Sequence, residues 1–329
     1  MTNAARPVLR VGVVGAGVMA RIHAENLVRL GHRVLIHAQA GAETLAGLAE
    51  MRASYDELLA ESDWILIATP TDTHHELAMQ AIAAGRDLIV EKPLARTYAQ
   101  AVELVAAAAS AGRRLYPAHV VRFFPEYAAL HGAVTEGAIG TPAVLRFTRS
   151  GSFPIRAPWF GDPVRSGGIV FDQLIHDLDI ARWLAGEVDQ VTAIVRHDDS
   201  GPAPVQAAHV TLRHRSGAIS LASGVWGAQH VGFTTSFSVA GTGGLLEHES
   251  AREQPMIMQL DHDQPADGLL PSRSAAADPY LDELAAFLQP DRDSPPARIV
   301  TAADGAEAVR LAEAALASLR SGQPVEPAR

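Results

Sequence analysis

The apolar run Val8-Leu9-Arg10-Val11-Gly12-Val13-Val14 breaks into Gly15-Ala16-Gly17-Val18-Met19-Ala20 and then into a helical stretch reaching about Leu30. A strand that turns through glycines straight into a helix has to cross back over its own sheet. The next strand then lies parallel to the first. The pattern repeats. Gly31 stops the helix, and Val34-Leu35-Ile36 reads as a second strand. Trp64 to Ala68 is a third, closed by Thr69-Pro70. A helix over 73–84 ends at Gly85. Leu88-Ile89-Val90 is a fourth strand, residues 97–111 an Ala-rich helix, and Leu115 to Ala118 the start of a fifth strand. Strands alternating with helices predict a parallel sheet with helices on its faces.

The glycine loop is G-x-G-x-x-A. Gly15 permits the tight turn, Gly17 lets backbone N–H groups approach a pyrophosphate, and Ala20 is small enough for helix–strand packing. The residue about twenty positions on reports which dinucleotide binds. Here the segment is Ile36-His37-Ala38-Gln39-Ala40-Gly41, with no Asp or Glu for a ribose hydroxyl and no Arg for a 2′-phosphate. His37 or Gln39 suits either form, and both also suit plain solvent exposure. The expected cofactor is NAD or NADP, with a slight lean to NAD.

The pattern changes after a helix over 125–136. Ala143 to Arg149, Gln190 to Arg196, Ala207 to Arg213, Ile219 to Trp226 and Phe233 to Ala240 alternate in polarity. They predict a mostly antiparallel sheet with one covered face. A helix from about Gly168 to Leu184 interrupts them. Gln264 to Asp278 reads as a loop, and helices near 279–288 and 302–321 follow. With 329 residues the chain is too long for one ordinary core, so two domains are expected. A net charge of −10 leaves no basic footprint for nucleic acid, and the absence of cysteine excludes disulfides and thiolate metal sites. No apolar run is long enough to cross a bilayer, and residues 1–7 lack the apolar core of a signal peptide. The expected location is the cytoplasm.

Two further features carry chemistry. Glu91-Lys92-Pro93 follows a strand, and ligands of open parallel sheets bind beyond such strand ends. Pro93 keeps Lys92 out of helical geometry. Gly167-Gly168 then precedes Asp172, His176 and Asp179, whose spacing of four and three puts them on one helix face. A histidine suits proton abstraction from an alcohol, and a lysine ammonium stabilises developing alkoxide. Asp-x-x-x-His also suits two metal ligands, but no third is evident and the expected metal is none. A surface charge ladder is the plain alternative, opposed by the apolar residues around the set. Phe153, Arg156, Trp159 and Phe160 lie in the preceding loop, where a ring suits stacking on a sugar face or simple packing.

Together these residues resemble the Gfo/Idh/MocA family. The matching features are Gly15 to Ala20, Thr69-Pro70 with His74, Glu91-Lys92-Pro93, Arg122-Phe123-Phe124-Pro125, Trp159, Gly167-Gly168, Asp172 through His176 to Asp179, and Asp304-Gly305. The resemblance implies an α/β chain: an N-terminal Rossmann dinucleotide-binding domain (1–121) and a C-terminal α/β domain (122–329) with an open, mostly antiparallel sheet. The last helix, about 302–321, would pack back on the first domain. It implies an NAD(P)-dependent oxidoreductase moving a hydride between nicotinamide and a secondary alcohol or ketone of a sugar, inositol or related polyol. Lys92, His176 and Asp172 carry over as catalytic. Gly15, Gly17, Val18, Met19, Thr69, Pro70, His74, Glu91 and Lys92 carry over toward the cofactor, and Lys92, Trp159, Asp172 and His176 toward substrate. His37 joins the cofactor set and Arg156 the substrate set on the reading of the residues alone, since the second strand departs from the family's usual cofactor signature. Arg122 carries over as structural. No nucleic acid or membrane partner is expected, and a homodimer or homotetramer through the open sheet is. The alternatives are an NAD(P)-binding sensor without turnover, an imine or enediol reductase, and an NAD-dependent glycoside-cleaving enzyme. Substrate choice would sit near 150–166, 224–232 and 250–278.

Overall fold

The computed structural model describes residues 7–155, 158–198, 200, 204–251, 278–289 and 297–328. Arg156, and residues 252–277 of the expected specificity segment, lie outside the described residues. In chain order the strands are β1 (Arg10–Val14), β2 (Arg33–His37), β3 (Glu50–Met51), β4 (Trp64–Ile67), β5 (Asp87–Glu91), β6 (Leu115–Ala118), β7 (Pro142–Ser152), β8 (Val188–Asp198), β9 (Val205–His214), β10 (Ile219–Gly227), β11 (Thr234–Gly241) and β12 (Gly244–Glu249). The helices are α1 (Val18–Arg29), α2 (Tyr55–Glu61), α3 (His74–Ala83), α4 (Tyr98–Ala111), α5 (Pro125–Thr135), α6 (Pro163–Ser166), α7 (Ile175–Ala185), α8 (Pro279–Phe287) and α9 (Ala302–Ser321). The sequence reading passes over β3 and α2, two and seven residues long, because neither is long enough to show a period.

The described residues form two compact units, one lying within Met1–Phe123 and Asp278–Ala306, the other within Phe124–Ala277 and Glu307–Arg329. The first unit holds an all-parallel sheet ordered β3-β2-β1-β4-β5-β6. Its strands are apolar on both faces, as helices on both sides require. Val11, Val13, Ile36, Trp64, Leu66 and Ile89 are buried in one cluster, which Leu284 and Phe287 of α8 complete. Strand order reverses between β1 and β4, which opens a crevice at their carboxyl ends.

The second unit holds a sheet ordered β12-β11-β7-β10-β9-β8. Only the β7–β10 pair is parallel; the rest are antiparallel. One face is buried through Leu145, Phe147, Val210, Leu212, Ala222 and Val239, and α7 packs on β7 and β10. The other face carries the registered row Ile194, His209, Ser223, Thr148 and Ser236. The alternation predicted from sequence is this two-sidedness.

The helix expected over about 168–184 is present, with a π turn, Val170–Leu174, set into it ahead of α7. Gly167 and Gly168 ahead of it have φ of +76° and +67°. A Cβ at Gly167 would lie 2.5 Å from Cγ of Phe171, so this position needs glycine twice over. Gly167→Ala is expected to cost about 1–3 kcal/mol in chemical denaturation. Parent-like stability would contradict the tight approach.

Candidate cofactor and substrate sites

The first unit builds a nucleotide cradle at the β1/β4 crevice. Gly15 has φ +107°, and a Cβ there would strike the Ala68 carbonyl at 2.5 Å. Its N–H donates to the His37 carbonyl at 2.9 Å, which ties the loop to the end of β2. Gly17 caps α1 without a side-chain hydrogen bond, and a Cβ at Gly17 would meet nothing within 4 Å. Gly17 and Val18 are exposed, Met19 half-buried. An uncrowded helix start with backbone donors directed outward fits the pyrophosphate of a dinucleotide.

Thr69 and Pro70 are half-buried at the end of β4. His74, at the start of α3, is 1 % exposed, with Nδ1 2.8 Å from the Pro93 carbonyl and Nε2 2.9 Å from the Thr69 carbonyl. It spans the Thr69-Pro70 loop and the Glu91-Lys92-Pro93 turn. Burial drives its pKa below the ordinary histidine value against the pull of those carbonyls. The Lys92–Pro93 peptide is cis. Glu91 is buried, with Oε1 2.6 Å from His23 Nε2 and Oε2 accepting from the Lys92 N–H at 3.1 Å. Lys92 is half-buried between Glu91 and Pro93, both buried. Among the cofactor candidates, the glycine loop, Thr69-Pro70, His74, Glu91 and Lys92 thus lie on connected segments of one unit.

His37 is half-buried with Nδ1 3.2 Å from the Arg52 carbonyl, and Gln39 is exposed. Two arginines reach this neighbourhood. Arg52 bonds Glu61 and Glu50, and Arg21 donates to the Thr44 carbonyl at 2.6 Å. Arg122 is buried, 3.7 Å from Asp304, a contact within the fold of the first unit.

In the second unit, every residue from Ser166 to Ala181 is buried except Asp172 and His176. The π turn and the start of α7 therefore present these two side chains together at a surface that is otherwise sealed. π turns are enriched at functional sites because the extra residue re-aims side chains. Asp179 is 3 % exposed, so it belongs to no surface charge ladder. The helix is anchored beneath by a pair the sequence reading missed. Arg149 of β7 and Asp177 are both fully buried, with Arg149 Nε 2.8 Å from Asp177 Oδ2 and Nη2 2.8 Å from Oδ1. Burial opposes the Arg149 charge, but Asp177 outweighs it and the guanidinium pKa is raised. The signal was faint: Arg149 falls on an inward position of an alternating strand, where a lone charge demands a partner.

The aromatic loop is tied to the same element. The Ser166 hydroxyl donates to the Phe160 carbonyl at 3.0 Å and accepts from the Gly168 N–H at 2.9 Å. Trp159 stacks on Phe160 at 4.0 Å between centroids, and Phe160 and Phe153 both meet Trp226 edge-on. Gln206 of β9 accepts from the Ile169 N–H at 3.1 Å, which supports the start of the π turn. No group of three or more His, Asp or Glu among the described residues could hold a metal ion. No described helix is long and apolar enough to cross a membrane.

Comparison with known proteins agrees with both halves. Residues 9–119 match the oxidoreductase family's NAD-binding Rossmann fold, and residues 127–247 match the GFO/IDH/MocA C-terminal domain. Myo-inositol 2-dehydrogenase of Thermotoga maritima is 31% identical over 97% of this chain and 98% of its own. The crystal structure of GenD2 from gentamicin A biosynthesis, in complex with NAD, superposes with a TM-score of 0.81 at 26% identity. That match covers 98% of this chain and 97% of the other. A myo-inositol dehydrogenase from Corynebacterium glutamicum superposes at 0.77 with 26% identity, covering 98% and 100%.

Proposed function

We propose, for a chain that belongs to the GFO/IDH/MocA oxidoreductase family, that its substrate is an inositol or a closely related cyclic polyol. The enzyme is an NAD(P)-dependent dehydrogenase of polyols. The observation that supports the residue assignment best is that Asp172 and His176 alone are half-buried in an otherwise buried run from Ser166 to Ala181, together with the intact Glu91-Lys92-Pro93 turn.

When bound, the nicotinamide supplies the hydride acceptor for the carbinol carbon. The chain's own residues do the rest. Gly17, Val18 and Met19 would hold the pyrophosphate through backbone donors, and Gly15, its own N–H tied to the His37 carbonyl, turns the loop so that they reach it. Thr69, Pro70 and His74 shape the wall beside the nicotinamide ribose. His176 takes the hydroxyl proton, and Lys92 and Asp172 hold that hydroxyl and steady the charge growing on its oxygen. Trp159 offers a ring to the apolar face of the polyol. Arg156 is the proposed further substrate contact, and His37 meets the adenosine ribose.

NAD is the proposed partner of choice. Segment 36–41 itself carries no Arg to favour a 2′-phosphate, and the neighbouring Arg52 is paired with Glu50 and Glu61. Fluorescence titration is expected to show NADH binding at least about tenfold more tightly than NADPH. Tighter NADPH would reverse the assignment. A panel of inositols, sugars and acyclic polyols, followed through nicotinamide absorbance, tests the substrate class. Turnover of cyclic polyols supports it, and cofactor binding without turnover on the whole panel would favour the sensor alternative. The reading includes a cytoplasmic location and a homodimer or homotetramer through the open sheet face. Exposed Ile194, Leu221 and Val225 on that face support it. Sedimentation is expected to show two or four copies.

A further inference from the structure

Helix α1 turns two polar side chains inward. His23 and Asn26 are fully buried and three residues apart, hence on one face. Helix α8 packs against α1 and presents buried Tyr280 and Glu283, also three apart. The Tyr280 ring meets the His23 ring edge-on at 6.4 Å between centroids. Glu283 is 0 % exposed, and neither of its carboxyl oxygens has a hydrogen-bond partner. A buried carboxylate without donors is costly enough that the group keeps its proton.

The first unit therefore buries two carboxyl groups in the same electrostatic neighbourhood, Glu91 and Glu283, and treats them differently. Glu91 receives His23 at 2.6 Å and the Lys92 N–H at 3.1 Å. Burial opposes its charge, but His23, then Lys92 and His74, outweigh burial and lower its pKa. Burial, and then the charge on Glu91, push Glu283 well above the glutamate range. Other ionisable groups lie on the elements of this unit. His74 spans the loops described above. His119 is buried ahead of the turn 120–123 that packs on α8. Arg122 faces Asp304, and Arg29 of α1 bonds Asp278 at the start of α8.

We propose that His23 is a positioning residue for Lys92. By donating to Glu91 and not to Glu283, it places the single negative charge of this buried carboxyl pair one residue from the Lys92 ammonium. Glu283 is then the passive partner, a neutral acid that lets Glu91 alone carry charge. The proposal rests on the assigned role of Lys92, and its test separates the two.

Charge placement is read without turnover, by carbon-13 NMR of glutamate-labelled protein across pH. Glu283→Gln and Glu91→Gln identify the two resonances. The Glu283 signal is expected to stay protonated through neutral pH and the Glu91 signal ionised. In His23→Leu the Glu91 carboxyl is expected to take up a proton in the neutral range. Its kcat is expected to fall at least about tenfold with NADH affinity unchanged. His23→Gln, whose amide N–H meets the same carboxylate, is expected to restore most of kcat. Glu91 still ionised over the same range in His23→Leu would overturn the proposal, as would unchanged turnover. If His23→Leu does not fold, Glu91→Gln must show the same selective loss of kcat, and parent-like turnover there overturns it. A parent protein inactive on every polyol would instead sink the assigned role of Lys92, while the NMR result would still decide where the charge lies.

Stability gives a second sign. Glu283 has a folded pKa above its unfolded value near 4.5, so the unfolded chain gives up this proton first as pH rises. Its stability contribution is complete below about pH 4.5 and is lost as pH climbs toward the folded pKa. Glu283→Gln is expected to match the parent in Tm at acid pH, to exceed it increasingly above that, and to keep parent kcat. A pH-independent Tm difference would remove Glu283 from the pair.

Discussion

Lys92→Met is expected to lower kcat about a thousandfold while leaving NADH binding within about twofold of the parent. The substitution removes the ammonium but keeps an unbranched side chain of similar length. The turn is expected to survive, because it keeps several contacts besides those of the ammonium. The Lys92 N–H donates to Glu91, His23 holds Glu91 from the other side, and His74 lies against the Pro93 carbonyl. What disappears is charge at the developing alkoxide, a transition-state interaction, so the loss falls on kcat and kcat/KM together. Single-turnover kinetics with saturating NAD check this. A rate near that of the parent would strip Lys92 of its assigned role, and a large fall in NADH affinity would recast it as a cofactor residue.

The largest stability effect is expected at the Arg149–Asp177 pair. Asp177→Ala leaves a fully buried guanidinium without its carboxylate, a loss of about 3–5 kcal/mol for a broken buried pair. Tyr127 gives little relief: its hydroxyl lies 3.3 Å from Arg149 Nη2, and a neutral hydroxyl does not balance a charge. Thermal unfolding is expected to show a fall in Tm of about 10 °C or more. Replacing both partners, Arg149→Met with Asp177→Leu, is expected to recover much of it, since a packed apolar pair escapes the desolvation cost of two charges. A single variant within about 1 kcal/mol of the parent would show that water reaches the site. Because Asp177 adjoins His176, the double variant also asks a kinetic question. If it folds but turns over slowly, the pair has been holding His176, the proposed base, in place.

Much of this molecule was legible from local pattern. The alternation of strand and helix up to Ala118 announced a parallel sheet. The polar–apolar alternation of β8 to β11 announced a sheet covered on one side. Gly15, Gly17 and the Glu91-Lys92-Pro93 turn marked the strand ends where a dinucleotide enzyme does its work. These features depend on residues close in sequence, so spacing alone reveals them. The GFO/IDH/MocA resemblance rested on the same short segments.

Other features required the folded chain, because they depend on residues far apart in sequence. His23 and Glu91 lie 68 positions apart and Arg149 and Asp177 lie 28 apart; no periodicity joins them. The grouping of α8 with the first unit, which brings Glu283 into the neighbourhood of Glu91, follows a long excursion of the chain through the second. Sequence spacing suggested Asp172, His176 and Asp179 as one face. The π turn and the burial around it left Asp172 and His176 half-buried and took Asp179 in. Local sequence determined which backbone shapes were available and where the reactive side chains stood along them. Tertiary packing decided which of the polar groups met, and therefore which carried charge, since the cost of burying a charge depends on its neighbours in space.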